Sequence, residues 1–182
     1  MAKTKWVLDP THSELNFKIR HLMISNISGS FKSFEAKAET EEDDFSKAHI
    51  TLTADMNSIN TNQEQRDAHL RTTDFFETDK YPQLTFKSTR VETVDEDTFT
   101  LHGDLTLKGI TKPVTLRVEF SSIAKDPWGN ERAGFTVNGK INRNDFGVNF
   151  NKVLETGGVA LSDDVKINAE VQFVKQAVGV PA

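Results

Sequence analysis

Cysteine is absent from this 182-residue chain, which excludes disulfides, thiolate metal sites and thiol nucleophiles and ties the protein to no redox compartment. Proline (5) and glycine (10) are few, so neither a disordered nor a collagen-like composition is present. Tyrosine occurs once and tryptophan twice, against 13 phenylalanines. Phenylalanine brings large apolar surface with no polar handle, which suits a core or a greasy pocket. No run approaches the ~18 consecutive apolar residues of a membrane-crossing helix. Net charge is −5 and no Lys/Arg block occurs, so the sequence carries no footprint of a nucleic-acid partner or of an anionic membrane surface. Met1-Ala2-Lys3-Thr4-Lys5-Trp6 lacks the apolar stretch of a secretory leader, and the expectation is a cytoplasmic protein. The length suits one domain over 1–182.

What is present, along almost the whole chain, is strict alternation of apolar and polar residues, the signature of half-buried strands. Leu15, Phe17 and Ile19 share one parity, and Phe34, Ala36 and Ala38 the next. Ile50, Leu52, Ala54 and Met56 follow, then Leu84, Phe86 and Ser88, then Phe99, Leu101, Gly103, Leu105 and Leu107. The series ends with Val114 to Phe120, Phe135 to Ile141 and Val165 to Phe173, about eight strands in all. Each is apolar on one face only, and almost no amphipathic helix is available to cover that face. An antiparallel sheet must therefore cover itself, as a sandwich or a closed barrel. Turn residues separate the strands at Asn26 to Gly29, Glu41 to Asp44, Asp95 to Asp97, Gly109 to Pro113 and Asp126 to Asn130. One helix is predicted over about 62–71, where Thr61-Asn62-Gln63-Glu64 has capping-box spacing, with a second helical turn at Asp74 to Glu77. Small residues on the inward parity (Ala36, Ala38, Ala54, Ser88, Gly103, Gly139, Ala169) either leave room for a ligand or are filled by neighbouring rings.

These residues resemble the YceI family of lipocalin-like proteins. The likeness is carried by Trp6 to Ser13, Leu15 to His21, Gly29-Ser30-Phe31, Ser58 to Thr61, Arg66 to Arg71, Asp74-Phe75-Phe76, Tyr81-Pro82, Thr85 to Thr89, Gly103 to Val114 and Ile141 to Gly147. The resemblance implies an all-β, eight-stranded antiparallel lipocalin-like barrel with one short helix near the mouth. It also implies a hydrophobic channel that takes an isoprenoid tail, from a polyprenyl phosphate or an isoprenoid quinone. Similar proteins are often homodimers and many are periplasmic. The lipid is the implied ligand and partner; no other cofactor is implied.

On that reading the polar candidates are His21, whose parity aims it inward, and Arg66, His69 and Arg143, each suited either to a lipid head group or to a structural pair. Leu70, Phe75 and Phe76 would cover the tail, and Phe17, Ile19, Phe86, Leu101 and Phe135 would line the channel. Asp67 reads as structural, spaced to pair with Arg71. Two other classes stay open: an enzyme using His21 or His69 as acid or base, and a filled barrel that binds protein or only holds its shape. None of the five histidines has zinc-pair spacing on a helix. Asp9-Pro10-Thr11-His12-Ser13 holds the residue types of a triad without its geometry. Gly134 to Ile141 mimics a phosphate loop but lacks its Ser or Thr and alternates as a strand. Asn26-Ile27-Ser28 fits a glycosylation sequon, which without a leader is coincidence. The apolar loop 146–164 would be either a satellite of the core or a lid.

Overall fold

A computed structural model of the chain describes residues 3–22, 24–151 and 161–176. The described strands are β1 (Lys3–Leu8), β2 (Glu14–His21), β3 (Ser25–Phe31), β4 (Phe34–Glu41), β5 (Asp44–Asp55), β6 (Ile59–Asn60), β7 (Gln83–Thr93), β8 (Thr98–Leu107), β9 (Ile110–Lys125), β10 (Glu131–Asn142) and β11 (Leu161–Lys175). A helix, α1 (Glu64–Leu70), lies between β6 and β7. All pairings are antiparallel, and the sheet closes because β1 pairs with both β4 and β11.

These strands build a barrel of eight staves. β1 and β2 run in one direction against successive parts of β11, with Leu8 opposite Phe173 and Glu14 opposite Glu170, so they form one stave broken by the 3₁₀ turn Pro10–His12. β3 and β4 likewise form one stave, whose upper part pairs with β2 and lower part with β1. Closure follows from the one-sided apolar pattern: no partner layer exists, and a closed ladder leaves no long edge exposed.

The expected eight strands are all present, and three more appear. β3 occupies Asn26 to Gly29, which reads as a loop in sequence because Asn, Ser and Gly dominate it; its inward positions are Ile27, Gly29 and Phe31. β1 has only Trp6 and Leu8 buried, too short an alternation to register. The helix begins at Glu64, not 62. Gln63 caps it by accepting from the Arg66 amide, while Thr61 is engaged by Asp67 instead. Asp74 to Glu77 forms turns and no helix. Pro113 lies inside β9, beyond the last β10 partner at Leu116, where its missing N–H leaves no ladder bond unmade on that side. The β8–β9 turn is the two-residue Lys108-Gly109 with both φ positive, the geometry that matches strand twist.

One end of the barrel is closed. Trp6 is fully buried, donates its indole N–H to the Thr40 hydroxyl at 3.1 Å and packs on Phe45 at 5.0 Å between centroids. Phe45 meets Phe135 at 4.8 Å, and Phe135 meets Phe120 and Phe173 at 5.2 and 6.1 Å. Outside this plug, the Arg132 guanidinium bridges Asp9 at 2.7 Å and Asp126 at 2.9 Å, tying the β1/β2 break to the β9–β10 turn. Hydrogen bonds from Thr11, with those from Arg132 and His12, hold the Asp9 carboxyl well below the usual carboxylate range. Burial would raise Asp126, but Arg132 and the amides of Asn130 and Trp128 outweigh it and keep its pKa at about 2.

Candidate functional site: an apolar cavity with a cationic mouth

The barrel encloses a cavity of about 470 Å³, within the ~300–1,000 Å³ range of small-molecule sites. Its wall is built by the inward parity of the staves: Phe17, Ile19, Phe86, Leu101 and Phe135 all line it, with Leu52, Leu105, Val118 and Val171 among the rest. Of the small inward residues, Ala36, Ala38 and Ala169 face the cavity and make its room. The glycines do not. A Cβ on Gly103 would stand 2.4 Å from the Phe86 ring and 2.6 Å from the Lys87 carbonyl oxygen, and one on Gly139 would stand 2.3 Å from Leu116. Ser88 is used elsewhere, its hydroxyl accepting from the Ile50 amide at 2.8 Å where the β7–β8 register shifts.

At the end opposite the Trp6 plug, α1 and the chain after it lie across the opening. Leu70, Phe75 and Phe76 line the cavity from this side. His69, Phe75 and Phe150 form a triangle of rings 5.1 to 5.2 Å apart. Phe150 belongs to the apolar loop that follows β10. Val148 and Phe150 of that loop line the cavity with Leu161, which the structure places at the start of β11, whereas Val153, Leu154 and Val159 lie outside the described residues.

The polar groups gather at this same end, and each has a distinct environment. Arg143 is 4% exposed and donates to the carbonyls of Val148, Phe150 and Ser162 at 2.7 to 2.9 Å. Burial pushes its guanidinium below its ordinary pKa, and the charge of Asp163 acts in the other direction. It pins the segment after β10 over the opening. Asp67 is buried on the inner face of α1, where it accepts from the Thr61 amide and hydroxyl and makes no ion pair with Arg71. Arg66 donates from Nε to the Thr61 hydroxyl and from Nη2 to the Thr61 carbonyl, both at 2.8 Å. Thr61, read in sequence only as a cap, is thus the buried hub that sets the angle of Arg66. No carboxylate pairs with Arg66 among the described residues. His69 is paired with Asp74 at 2.8 Å. His21, half-buried at the end of β2, lines the cavity with no hydrogen-bond partner for its ring among the described residues.

All twelve residues singled out in the sequence therefore border one cavity, eight of them from the wall or lid and His21, Arg66, His69 and Arg143 from the mouth. Missed were Phe45, at the start of β5 before its regular alternation begins, Phe31, on the turn-like β3, and Asn151, whose side chain bonds the backbone of Leu161. Among the described residues no Asp, Glu or Lys lines the cavity, so the described polar end is cationic or neutral. No described hydroxyl bonds the imidazole of His69 or His21, so no nucleophile and base are assembled there.

Comparison with known proteins agrees with this architecture. Residues 6–173 match the YceI-like domain family. A UPF0312 protein of Staphylococcus aureus strain N315 is 44% identical over 171 residues, covering 93% of this chain and 97% of the relative. Among solved structures, the YceI protein of Campylobacter jejuni is 34% identical with a TM-score of 0.75, covering 88% of this chain and 91% of that one. BcnA of Burkholderia cenocepacia shares the fold at 21% identity and a TM-score of 0.79, covering 91% and 98%. So does a polyisoprenoid binding domain of Saccharophagus degradans, at 18% identity and a TM-score of 0.64, covering 94% and 98%.

Proposed function

The chain belongs to the YceI-like domain family, and from that premise we propose that it binds an amphiphilic isoprenoid lipid, for transport, storage or sequestration, and catalyses no reaction. The observation that carries this reading is the cavity of about 470 Å³, apolar along its wall and polar only at one end. An extended isoprenoid tail fills such a wall, and burial of its surface supplies affinity at roughly 25 cal/mol per Å² before the loss of ligand freedom is subtracted. Arg66 and His21 lie where the head group emerges and offer it N–H donors. Arg143 is committed to backbone carbonyls and supports the mouth without needing to touch the ligand. The Arg66 guanidinium, which pairs with no carboxylate among the described residues and lies beside an apolar cavity, favours an acceptor-rich head, so a polyprenyl phosphate fits better than a quinone, whose two carbonyls use fewer donors.

Organic extraction and mass spectrometry of the native protein test the reading. One isoprenoid lipid per barrel is expected. Its absence after prolonged incubation with polyprenyl lipids would leave a barrel that binds no lipid. Ala169→Phe, which places a ring in the cavity midway along β11, is expected to abolish lipid recovery at an overpacking cost of about 1–3 kcal/mol. Undiminished recovery from a folded Ala169→Phe protein would place the tail elsewhere.

A further inference from the structure

The lysines that look scattered in the sequence are gathered by strand register. On the outer wall, Lys140 of β10 stands directly opposite Lys166 of β11, and Lys166 directly opposite Lys18 of β2. Three like charges thus lie side by side across three strands about 4.8 Å apart, an arrangement that repels itself. Lys140 approaches Asp164 at 3.7 Å, whereas Lys18 and Lys166 make no ion pair among the described residues. The next row away from the mouth is neutral: Asn138, Asn168 and Asn16 stand in register. The row beyond is acidic, with Glu170 opposite Glu14. On this side a basic row therefore stands above an acidic band along the barrel axis, while the row between the lysines and the rim holds one carboxylate, Asp164 opposite Asn142, in a chain whose net charge is −5.

A second observation lies at the rim. β2 carries Lys18 three residues before its end at His21 and leads into a connection that exposes Leu22 and Ile24, and Ile24 is 80% exposed. The lysine row is about 13 Å below this apolar tip by strand rise, and long lysine stems bring their ammonium groups closer still.

From the two together we infer that the β2–β3 tip and the Lys18/Lys166/Lys140 row dock the barrel, mouth first, on an anionic phospholipid bilayer. Ile24 and Leu22 enter the head-group layer, the lysines meet lipid phosphates, and the acidic band is repelled outward, which fixes the orientation. This deepens the lipid-binding reading and rests on it for its purpose: a tail that enters at the mouth must come from a membrane, and docking shortens its path through water.

Flotation with vesicles free of isoprenoid separates the two ideas. Vesicles of equal phosphatidylglycerol and phosphatidylcholine are expected to bind the protein, and phosphatidylcholine alone to bind it weakly. Binding should fall with salt, by about fivefold for each of Lys18→Gln and Lys166→Gln, and be lost in Ile24→Ser. Lys87→Gln, on the opposite wall, should change nothing. No binding to either vesicle overturns docking, as does equal binding to both or an equal loss with Lys87→Gln. Retention of single-stranded DNA without vesicle binding would overturn it too, and would assign the row to nucleic acid. A protein that yields stoichiometric isoprenoid on extraction but ignores vesicles refutes docking alone. One that binds anionic vesicles yet never holds an isoprenoid refutes the cavity's ligand alone.

Discussion

Two arginines within one mouth do different work because their partners differ. Arg143 satisfies three carbonyls in a nearly dry setting. Arg143→Met is therefore expected to leave those acceptors unpaired and lower stability by about 3 kcal/mol, visible as a lower Tm. Arg66 is half-buried and its guanidinium bonds only Thr61 among the described residues, so Arg66→Met should shift Tm little. Its expected effect is on the ligand: roughly tenfold weaker retention of a polyprenyl phosphate, with no change for the corresponding hydrocarbon lacking a head. Equal losses for both ligands would mean that Arg66 shapes the opening and does not hold the head. The glycines make a third residue-scale case. Gly103 is covered by the Phe86 ring, so Gly103→Ala is expected to destabilise by roughly 1–3 kcal/mol without emptying the cavity. An unchanged denaturation midpoint would show that Phe86 moves aside freely. Sequence parity put Gly103 and Gly139 inward correctly, yet it could not reveal that Phe86 and Leu116 already fill the gaps they leave, since that depends on the rotamers of neighbours across the ladder.

At the scale of elements, alternation made eight strands legible because each carries several inward residues in succession. β1, β3 and β6 escaped: β1 and β6 bury too few residues to show a period, and the Asn-Ile-Ser-Gly run of β3 has turn composition. The helix was legible from its sequence spacing, but the use of Asp67 was not, because its partner Thr61 belongs to the chain before the helix and not to the helix face. The break between β1 and β2 is secured by Asp9, Arg132 and Asp126, and this gives a pH signature. Both carboxyls titrate below their unfolded values, so their contribution to stability is complete above about pH 4 and is lost as pH falls toward the Asp126 value of about 2. Thermal melts are expected to show a Tm that declines over that window, with a shallower decline in Asp126→Asn. An unchanged slope in that variant would assign acid sensitivity to other carboxylates.

At the scale of the whole molecule, the fold was legible in the alternation, the cavity only through the family resemblance because the small inward residues suited a filled barrel equally, and the surface was the illegible part. Net charge and the lack of a basic block hid a lysine row assembled from residues 18, 140 and 166, because register, which pairs distant strands, is what places them together. The polar outside and apolar inside also invert the pattern of a barrel that spans a bilayer, which fits docking on a membrane better than crossing it. Closure itself has a consequence for how the protein comes to be. β1, the first strand, completes the ring only by pairing with β11, the last, and the Gln176 amide reaches back to the Lys5 carbonyl at 2.8 Å. A ribosome that has delivered β1 through β10 has made a curved sheet with its greasy concave face open, and nothing yet seals it. Folding must then wait on synthesis of the final strand, so a truncation that removes β11 would leave an aggregating sheet and no smaller barrel, while a permuted chain joined near Lys5 and Gln176 would keep every stave in place.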